Sequence, residues 1–370
     1  MNKYLDSYYF WWKNIDKIIF TILILLFVTG LFFSLVSTSL IASDKLDTNS
    51  YYFFLKHLSF ILLGMLALFV ISILNQEFLI KFSIILFFFT FLALILVPII
   101  GIEVKGSKRW IDLFFLPRLQ PVEIIKPFFI VILSLIITYE KLSNFSIKFI
   151  FSLILTLTIV FLLIIQPDIG QSLLVSFCWM ILIFISGINL IFLFSILLIG
   201  FVSLLYIALY VPKFEYIKNR LLSFFDSEGG TYNFQSSKAI DSITSGGFFG
   251  KGIGEGTLKN KVPEAHTDYI ISVISEEFGV IVIILILFLF LTFLFSLIKK
   301  VNTEIDDKIK LILVGSISLI LIQAMIHIGV NIRLFPTTGM TLPFLSYGGS
   351  SIISVSILSG IILNLTKRRI

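Results

Sequence analysis

Only one cysteine, Cys178, occurs in 370 residues, so no intrachain disulfide can form. Set inside an apolar run, it reads as a small buried hydrophobe. Charge is scarce too. Charged residues make up 14% of the chain against 58% hydrophobic, a balance that excludes every soluble globular class. No internal repeat is present, which removes support for the duplicated halves of many transporters. No dedicated metal cage is visible, so no metal-binding residues are assigned. The net charge of +6 comes mostly from lysines flanking apolar runs and does not imply nucleic acid. Arginine is rare, with six residues against 22 lysines.

What is abundant is apolar runs long enough to span a bilayer. They fall at about 17–38, 55–75, 79–101, 121–139, 147–165, 169–187, 189–210, 269–297, 309–331 and 343–365. The pattern predicts an all-α polytopic membrane protein of about ten transmembrane helices, one domain over 1–370. An even count puts both termini on one side. Lys3, Lys13, Lys17, Lys141, Lys148, Lys299, Lys300, Lys308, Lys310 and Lys367-Arg368-Arg369 then share that side, which the positive-inside rule makes the cytoplasm. The run from Ile18 to Val36 exceeds a signal-peptide core and other spans follow it, so it reads as an uncleaved first span. Tyr8-Tyr9-Phe10-Trp11-Trp12 before it suits an interfacial anchor. Most links are short. The exceptions are 102–120 and 211–268, the latter a large extracytoplasmic loop between helices 7 and 8. Within it, 220–226 and 232–243 read as short amphipathic helices ahead of a glycine-rich tract.

These outer loops carry the wrong charge for their side. Lys105, Lys108, Arg109, Arg118, Lys213, Lys218, Arg220, Lys251, Lys259 and Lys261 match the cytoplasmic load. Four of the six arginines, Arg109, Arg118, Arg220 and Arg333, lie there. Guanidinium suits planar, bidentate capture of phosphate or carboxylate, so an outer-face anion site is the economical explanation.

Four constellations could carry chemistry. Gly106-Ser107-Lys108-Arg109-Trp110 leads to Gln120-Pro121-Val122-Glu123-Ile124-Ile125-Lys126-Pro127. Pro121 fits a first helical turn, and Glu123 and Lys126, spaced i,i+3, face each other inside a span. Pro127 removes the amide that would have bonded to the Glu123 carbonyl. Structural support of a cavity is favoured over direct catalysis for this pair. Next, Asp168 and Gln171 have capping-box spacing, and a helix cap is preferred over a substrate contact. The tract Gly246–Gly256 has dinucleotide-like glycine spacing but no preceding buried strand. Its glycines are expected to let backbone approach a ligand or another loop. Last, Pro263-Glu264-Ala265-His266-Thr267-Asp268-Tyr269 runs into a span, with Asp268 opening the helix. Glu276 lies near the Asp268 face and Glu277 roughly opposite, and each must meet partners or water. An Asp at a helix start is commonly a cap, and the helix dipole lowers its pKa, which a base must overcome.

The two charged-loop motifs, the P-E-A-H-T-D-Y element and the run Pro336–Ser351 resemble the SEDS proteins of bacterial cell-wall synthesis, over nearly all of the chain. Gly252–Lys259 and P-T-T-G-M-T-L-P are similar to the division branch rather than the elongation branch. The resemblance implies a peptidoglycan glycosyltransferase polymerising lipid II, a disaccharide-pentapeptide on undecaprenyl pyrophosphate. It would work at the outer face of the bacterial inner membrane during cell division. The family's essential acid lands on Asp268, the expected general base. Tyr269 stands where Phe is usual and Val122 where Ser is usual, and neither alters the acid–base inventory. The pyrophosphate supplies the anion the outer cations call for, so Arg109, Lys108, Arg220 and Lys251 are expected substrate-binding residues. Gln120, Glu123, Lys126, Ser346 and Gly348 join them from the shared motifs. A divalent cation, Mg or Mn, could bridge the pyrophosphate and a carboxylate. Implied partners are lipid II, a class B penicillin-binding transpeptidase and other divisome membrane proteins. Two other readings fit the same polarity: a lipid II flippase and a noncatalytic division scaffold.

Overall fold

The computed structural model describes residues 9, 11–38, 51–104, 106–112, 118–140, 145–211, 214–215, 218–219, 222, 224 and 231–367. Each predicted apolar run lies on a helix. In chain order these are α1 (Lys17–Phe33, continued by a π-helical turn over Ser34–Thr38), α2 (Tyr52–Ile73), α3 (Gln76–Ile100), α4 (Pro121–Ile137), α5 (Phe145–Ile165), α6 (Ile169–Ile185) and α7 (Leu190–Tyr210). The polar helix α8 (Thr231–Gly246) precedes α9 (Ile270–Thr303), α10 (Asp307–Asn331) and α11 (Gly349–Leu365). Among the described residues six helices are long and apolar enough to cross a membrane: Lys17–Val36, Tyr52–Ile73, Gln76–Ile100, Ile147–Ile165, Ile270–Thr303 and Asp307–Asn331. The protein is a mostly helical membrane protein. One element departs from the all-helical expectation: Ile102–Val104 (β1) and Ser107–Trp110 (β2) form an antiparallel ribbon inside the predicted 102–120 loop. Gly106, at φ 76°, makes the reversal that an L side chain would resist.

The helix ends explain themselves locally. Asp16 caps α1 by accepting from the amides of Ile18 and Ile19, and Asn75 and Asp306 cap α3 and α10 in the same way. Pro121 occupies the first turn of α4 as expected. At the centre, α11 is buried along nearly its whole length and packs closely on α2 and α4. Its polar side chains serve two ends. Ser354 Oγ donates to the Glu123 carbonyl at 2.6 Å, which satisfies the acceptor that Pro127 leaves open. Near its far end Asn364 Nδ2 donates to the carbonyls of Ile71 (2.9 Å) and Leu74 (2.7 Å), closing the C-terminus of α2.

The helix α9 is two helices. Gly279 sits at φ 79°, ψ 175°, outside helical space, and splits the 34 residues after Phe278. The glycine-rich loop after α8 fills the gap. Lys251 N and Gly252 N donate to the carbonyls of Glu276 (2.9 Å) and Glu277 (3.0 Å), while Val280 N and Ile281 N donate to those of Gly247 (3.0 Å) and Phe248 (3.3 Å). Two orphaned backbone groups on each half are thereby paired. Glycine is required for that approach: a Cβ on Gly250 would lie 2.2 Å from the Glu277 carbonyl oxygen.

Candidate active site

A cavity of about 1210 Å³ opens among α2, the ribbon, the start of α4, the turn before α9 and the segment between α10 and α11. Lys56, Arg109 and Arg118 bring positive charge to its walls, and Glu123, Glu264 and Asp268 bring carboxyl groups. Gln120 and Gly348 also line it.

Asp268 belongs to a turn over 263–269, and α9 begins only at Ile270. The N-cap position is Tyr269, so Asp268 does not open the helix as the sequence suggests. The turn is pinned through its backbone. Asn331 Nδ2, at the end of α10, donates to the Asp268 carbonyl at 3.0 Å, and its Oδ1 accepts from Ser272 N at 3.3 Å. Ser346 Oγ donates to the Thr267 carbonyl at 2.7 Å while accepting from Leu342 N at 2.8 Å. Tyr347 N donates to the His266 carbonyl at 3.0 Å. Two segments distant in sequence thus fix the main chain on either side of the carboxyl group. Across the cavity Gly339 turns at φ 73°, and a Cβ there would come 3.7 Å from Asp268 Oδ2.

Beneath the cavity runs a buried polar chain. Lys126 Nζ lies 2.8 Å from Glu123 Oε2 and donates to Gln323 Oε1 at 3.0 Å. Gln323 Nε2 donates on to the Thr341 carbonyl at 3.0 Å, and Thr341 Oγ1 shares a 2.7 Å bond with Ser351 Oγ. On the other side Gln171 Nε2 donates to Glu123 Oε1 at 2.5 Å. Gln171 N in turn donates to Asp168 Oδ1 at 3.4 Å, so Asp168 caps α6 as expected. Asp168 does more than cap. Gln120 Nε2 donates to its Oδ2 at 3.4 Å, and Arg109 Nε lies 3.7 Å away. Burial pushes the Asp168 carboxyl up from its ordinary range, and the Arg109 guanidinium opposes that. Arg109 also donates through Nε to the Gln166 carbonyl at 3.1 Å and through Nη2 to that of Pro167.

The glycine-rich loop finds its anchors in Glu276 and Glu277. Glu276 accepts from Ser242 Oγ (2.7 Å), Leu258 N (2.9 Å) and Lys259 N (2.6 Å). Glu277 accepts from Gly254 N at 3.1 Å and pairs with Lys259 Nζ. The two carboxylates therefore grip one loop. Both carboxylates meet partners, as expected, because the helix stops two residues after Glu277 at Gly279 and the loop wraps its end.

The predicted residues therefore divide. Asp268, Arg109, Gln120, Glu123 and Gly348 meet at the cavity. Lys126 is buried beneath it, and Ser346 is a buried staple behind the Asp268 turn. Lys108 is exposed on the ribbon, opposite Glu103, because strand alternation turns it away from Ser107 and Arg109. Lys251 reaches back toward Glu276 at 3.9 Å. Arg220 lies outside the described residues. Sequence reasoning missed Asn331 and Lys56. Each sits inside an apolar run, where an isolated amide or ammonium is itself the signal.

The profile of the cell cycle protein family that includes FtsW, RodA and SpoVE matches residues 16–369. The chain belongs to this family. A probable peptidoglycan glycosyltransferase FtsW of Caulobacter vibrioides is 30% identical over 369 residues, covering 97% of this chain and 91% of that protein. The stage V sporulation protein E of Bacillus subtilis is 32% identical, covering 95% and 97%. Among solved structures, a chain of a peptidoglycan synthase complex aligns with TM-score 0.78 at 24% identity, over 95% of this chain and 97% of that one. RodA of Thermus thermophilus aligns with TM-score 0.68 at 24% identity, over 95% and 96%.

Proposed function

We propose that this chain is a peptidoglycan glycosyltransferase of the division type, polymerising lipid II at the outer face of the bacterial inner membrane. Ten helices, α1 to α7 and α9 to α11, cross the bilayer, with both termini cytoplasmic and the cavity facing outward. The orientation rests on Lys17, Lys148, Lys299, Lys300, Lys308 and Lys310 sharing one end of the bundle. The loop over 211–268 then lies outside, between the seventh and eighth spans.

One observation carries the chemical reading: a carboxyl group, Asp268, on the wall of a cavity that also holds Lys56, Arg109 and Arg118. Glycosyl transfer from a diphosphate carrier needs both. The acceptor sugar hydroxyl attacks the donor's anomeric carbon, forming one C–O bond as the bond to pyrophosphate breaks. The hydroxyl proton goes to Asp268 as general base. The negative charge leaves on the pyrophosphate, where the cavity's cations stabilise it. Arg109, already fixed by the Gln166 and Pro167 carbonyls, is preorganised for that role. Gln120 and Gly348 shape the wall, while Lys126 and Ser346 act through the groups they hold. Lys108, Lys251 and Arg220 remain candidates for carrying lipid II's headgroup toward the cavity.

Among the described residues no three His, Cys, Asp or Glu side chains converge as a metal site. A Mg or Mn ion would enter with the pyrophosphate and take at most one or two carboxylates from the protein. A class B penicillin-binding transpeptidase is the partner this activity calls for, since new glycan must be crosslinked, and other divisome membrane proteins would join the pair.

Glycan polymerisation by the purified protein, with moenomycin present, tests the reading. Asp268→Asn should lose activity by roughly 100-fold or more, the scale of general-base catalysis, while inserting in membranes normally. Near-native activity in that variant removes the assignment. Lipid II translocation without polymer from the wild type would instead support the flippase.

A further inference from the structure

We propose that the tip of the glycine-rich loop is a membrane anchor. Phe248, Phe249 and Ile253, with Lys251 between them, enter the interface of the outer leaflet and set the height of the Asp268 segment above the bilayer. The inference rests on the orientation proposed above.

The first argument is exposure on a rigid frame. Phe248 is 73% exposed, Phe249 82% and Ile253 61%, although the backbone beneath them is fixed at both edges of the α9 break. Glu276 and Glu277 hold the following stretch through Gly254, Leu258 and Lys259. The rings are thus presented by a preformed loop and do not depend on ordering at the moment of contact.

The second argument is depth. From Val280 to Lys299 the second half of α9 rises about 30 Å at roughly 1.5 Å per residue, the thickness of a hydrocarbon core. Lys299 and Lys300 mark its cytoplasmic end, so Val280 lies at the outer boundary. The amides of Val280 and Ile281 bond directly to the carbonyls of Gly247 and Phe248. The loop tip is therefore level with that boundary. Below it the exposed Ile281, Ile284, Leu285 and Phe288 continue an apolar stripe down α9. Continuity with this lipid-facing stripe selects the bilayer as the occupant. Aromatic rings and a partly exposed lysine at this level match an interfacial belt, with the ammonium available to lipid phosphates.

The consequence reaches the site. The first half of α9, Ile270–Phe278, carries the Asp268 turn at its start and is clamped to the same loop at its end. An anchored tip holds this nine-residue segment, about 13 Å long, at a constant elevation over the leaflet from which the substrate's lipid tail rises.

Phe249→Cys tests the proposal, because Cys178 is wholly buried and stays unreactive in the folded chain. The variant, labelled with an environment-sensitive fluorophore, is reconstituted in vesicles of phosphatidylethanolamine and phosphatidylglycerol. Lipids bearing nitroxides near the headgroup should quench the emission at least about twofold more than lipids bearing them at the acyl terminus. Emission like that in water, insensitive to either lipid, overturns the anchor. So does quenching that appears only when a second protein is added, which would make the surface a protein-docking site. An impermeant thiol reagent applied to spheroplasts checks the orientation separately. Labelling from outside supports it, and labelling only from the cytoplasmic side refutes the orientation whatever the quenching shows.

Discussion

Removing the ammonium of Lys126 leaves a deeply buried carboxylate without its counter-ion. Glu123 and Lys126 are 4% and 1% exposed, and Nζ is shared between Glu123 Oε2 at 2.8 Å and Gln323 Oε1 at 3.0 Å. In Lys126→Met the volume is kept, but Glu123 retains just the Gln171 amide on its other oxygen. Breaking a buried pair from one side costs about 3–5 kcal/mol, because the surviving charge must stay desolvated or take up a proton. At about 2.1 cal/mol/K of unfolding entropy per residue, a chain of 370 residues shifts by roughly 1.3 °C per kcal/mol, so apparent Tm should fall by roughly 5 °C. The double variant Glu123→Gln/Lys126→Met removes both charges and should recover most of that loss. Thermal unfolding in detergent, followed by fluorescence-detected gel filtration, reads all three proteins. A single variant that melts with the wild type, or a double no better than the single, would refute the account. Normal stability with lost polymerisation in Lys126→Met would instead move Lys126 from support to substrate contact.

The remaining expectations concern a donor fork and a cap. Arg109→Lys keeps the charge but cannot serve the Gln166 and Pro167 carbonyls together with Asp168. Lipid II affinity should drop about tenfold, the equivalent of ~1.4 kcal/mol, and further in Arg109→Ala; equal affinities across the three proteins would leave Arg109 a mere interfacial anchor. At the start of α1, burial pushes Asp16 up, but Lys300 Nζ at 2.8 Å and the amides of Ile18 and Ile19 outweigh it and hold the carboxyl below its ordinary value. A depressed carboxyl pKa stabilises the fold at neutral pH and loses that contribution as pH falls through the folded value. Asp16→Asn keeps a cap acceptor without the ion pair, so its stability below about pH 5, measured from melting curves, should vary less with pH than the wild type's. Parallel curves would dismiss the linkage.

The helices were legible because apolar runs of this length have one solution in a bilayer. The pair Glu123–Lys126 was readable from i,i+3 spacing, and the cap at Asp168 from its Gln171 partner. The break in α9 was not, although Gly279 was in view. A glycine in an apolar helix is ordinary, and the loop that fills the gap comes from thirty residues earlier. Lys108 and Arg109 are adjacent and chemically alike, so only the ribbon's alternation separates the one that meets the cavity from the one that leaves it. Asn331 escaped because its partner is a main-chain carbonyl, and no side-chain motif announces such a contact.

That last contact bears on how the site works. A general base gains from being held in place before the substrate arrives, since orientation established by folding is not lost again in the reaction. Had Asp268 been the N-cap of α9, its carboxylate would have been spent on helix amides and drawn toward the helix dipole. The chain gives the cap position to Tyr269, and uses Asn331, Ser346 and Tyr347 to hold the neighbouring backbone by groups other than the carboxylate. Asn331 ends α10, and Ser346 and Tyr347 lie just before α11. The position of Asp268, the proposed base, is thus set by the packing of α9, α10 and α11, while the residue lines the cavity wall beside the cations. The packing of three helices, not a helix cap, thereby fixes where this short turn lies.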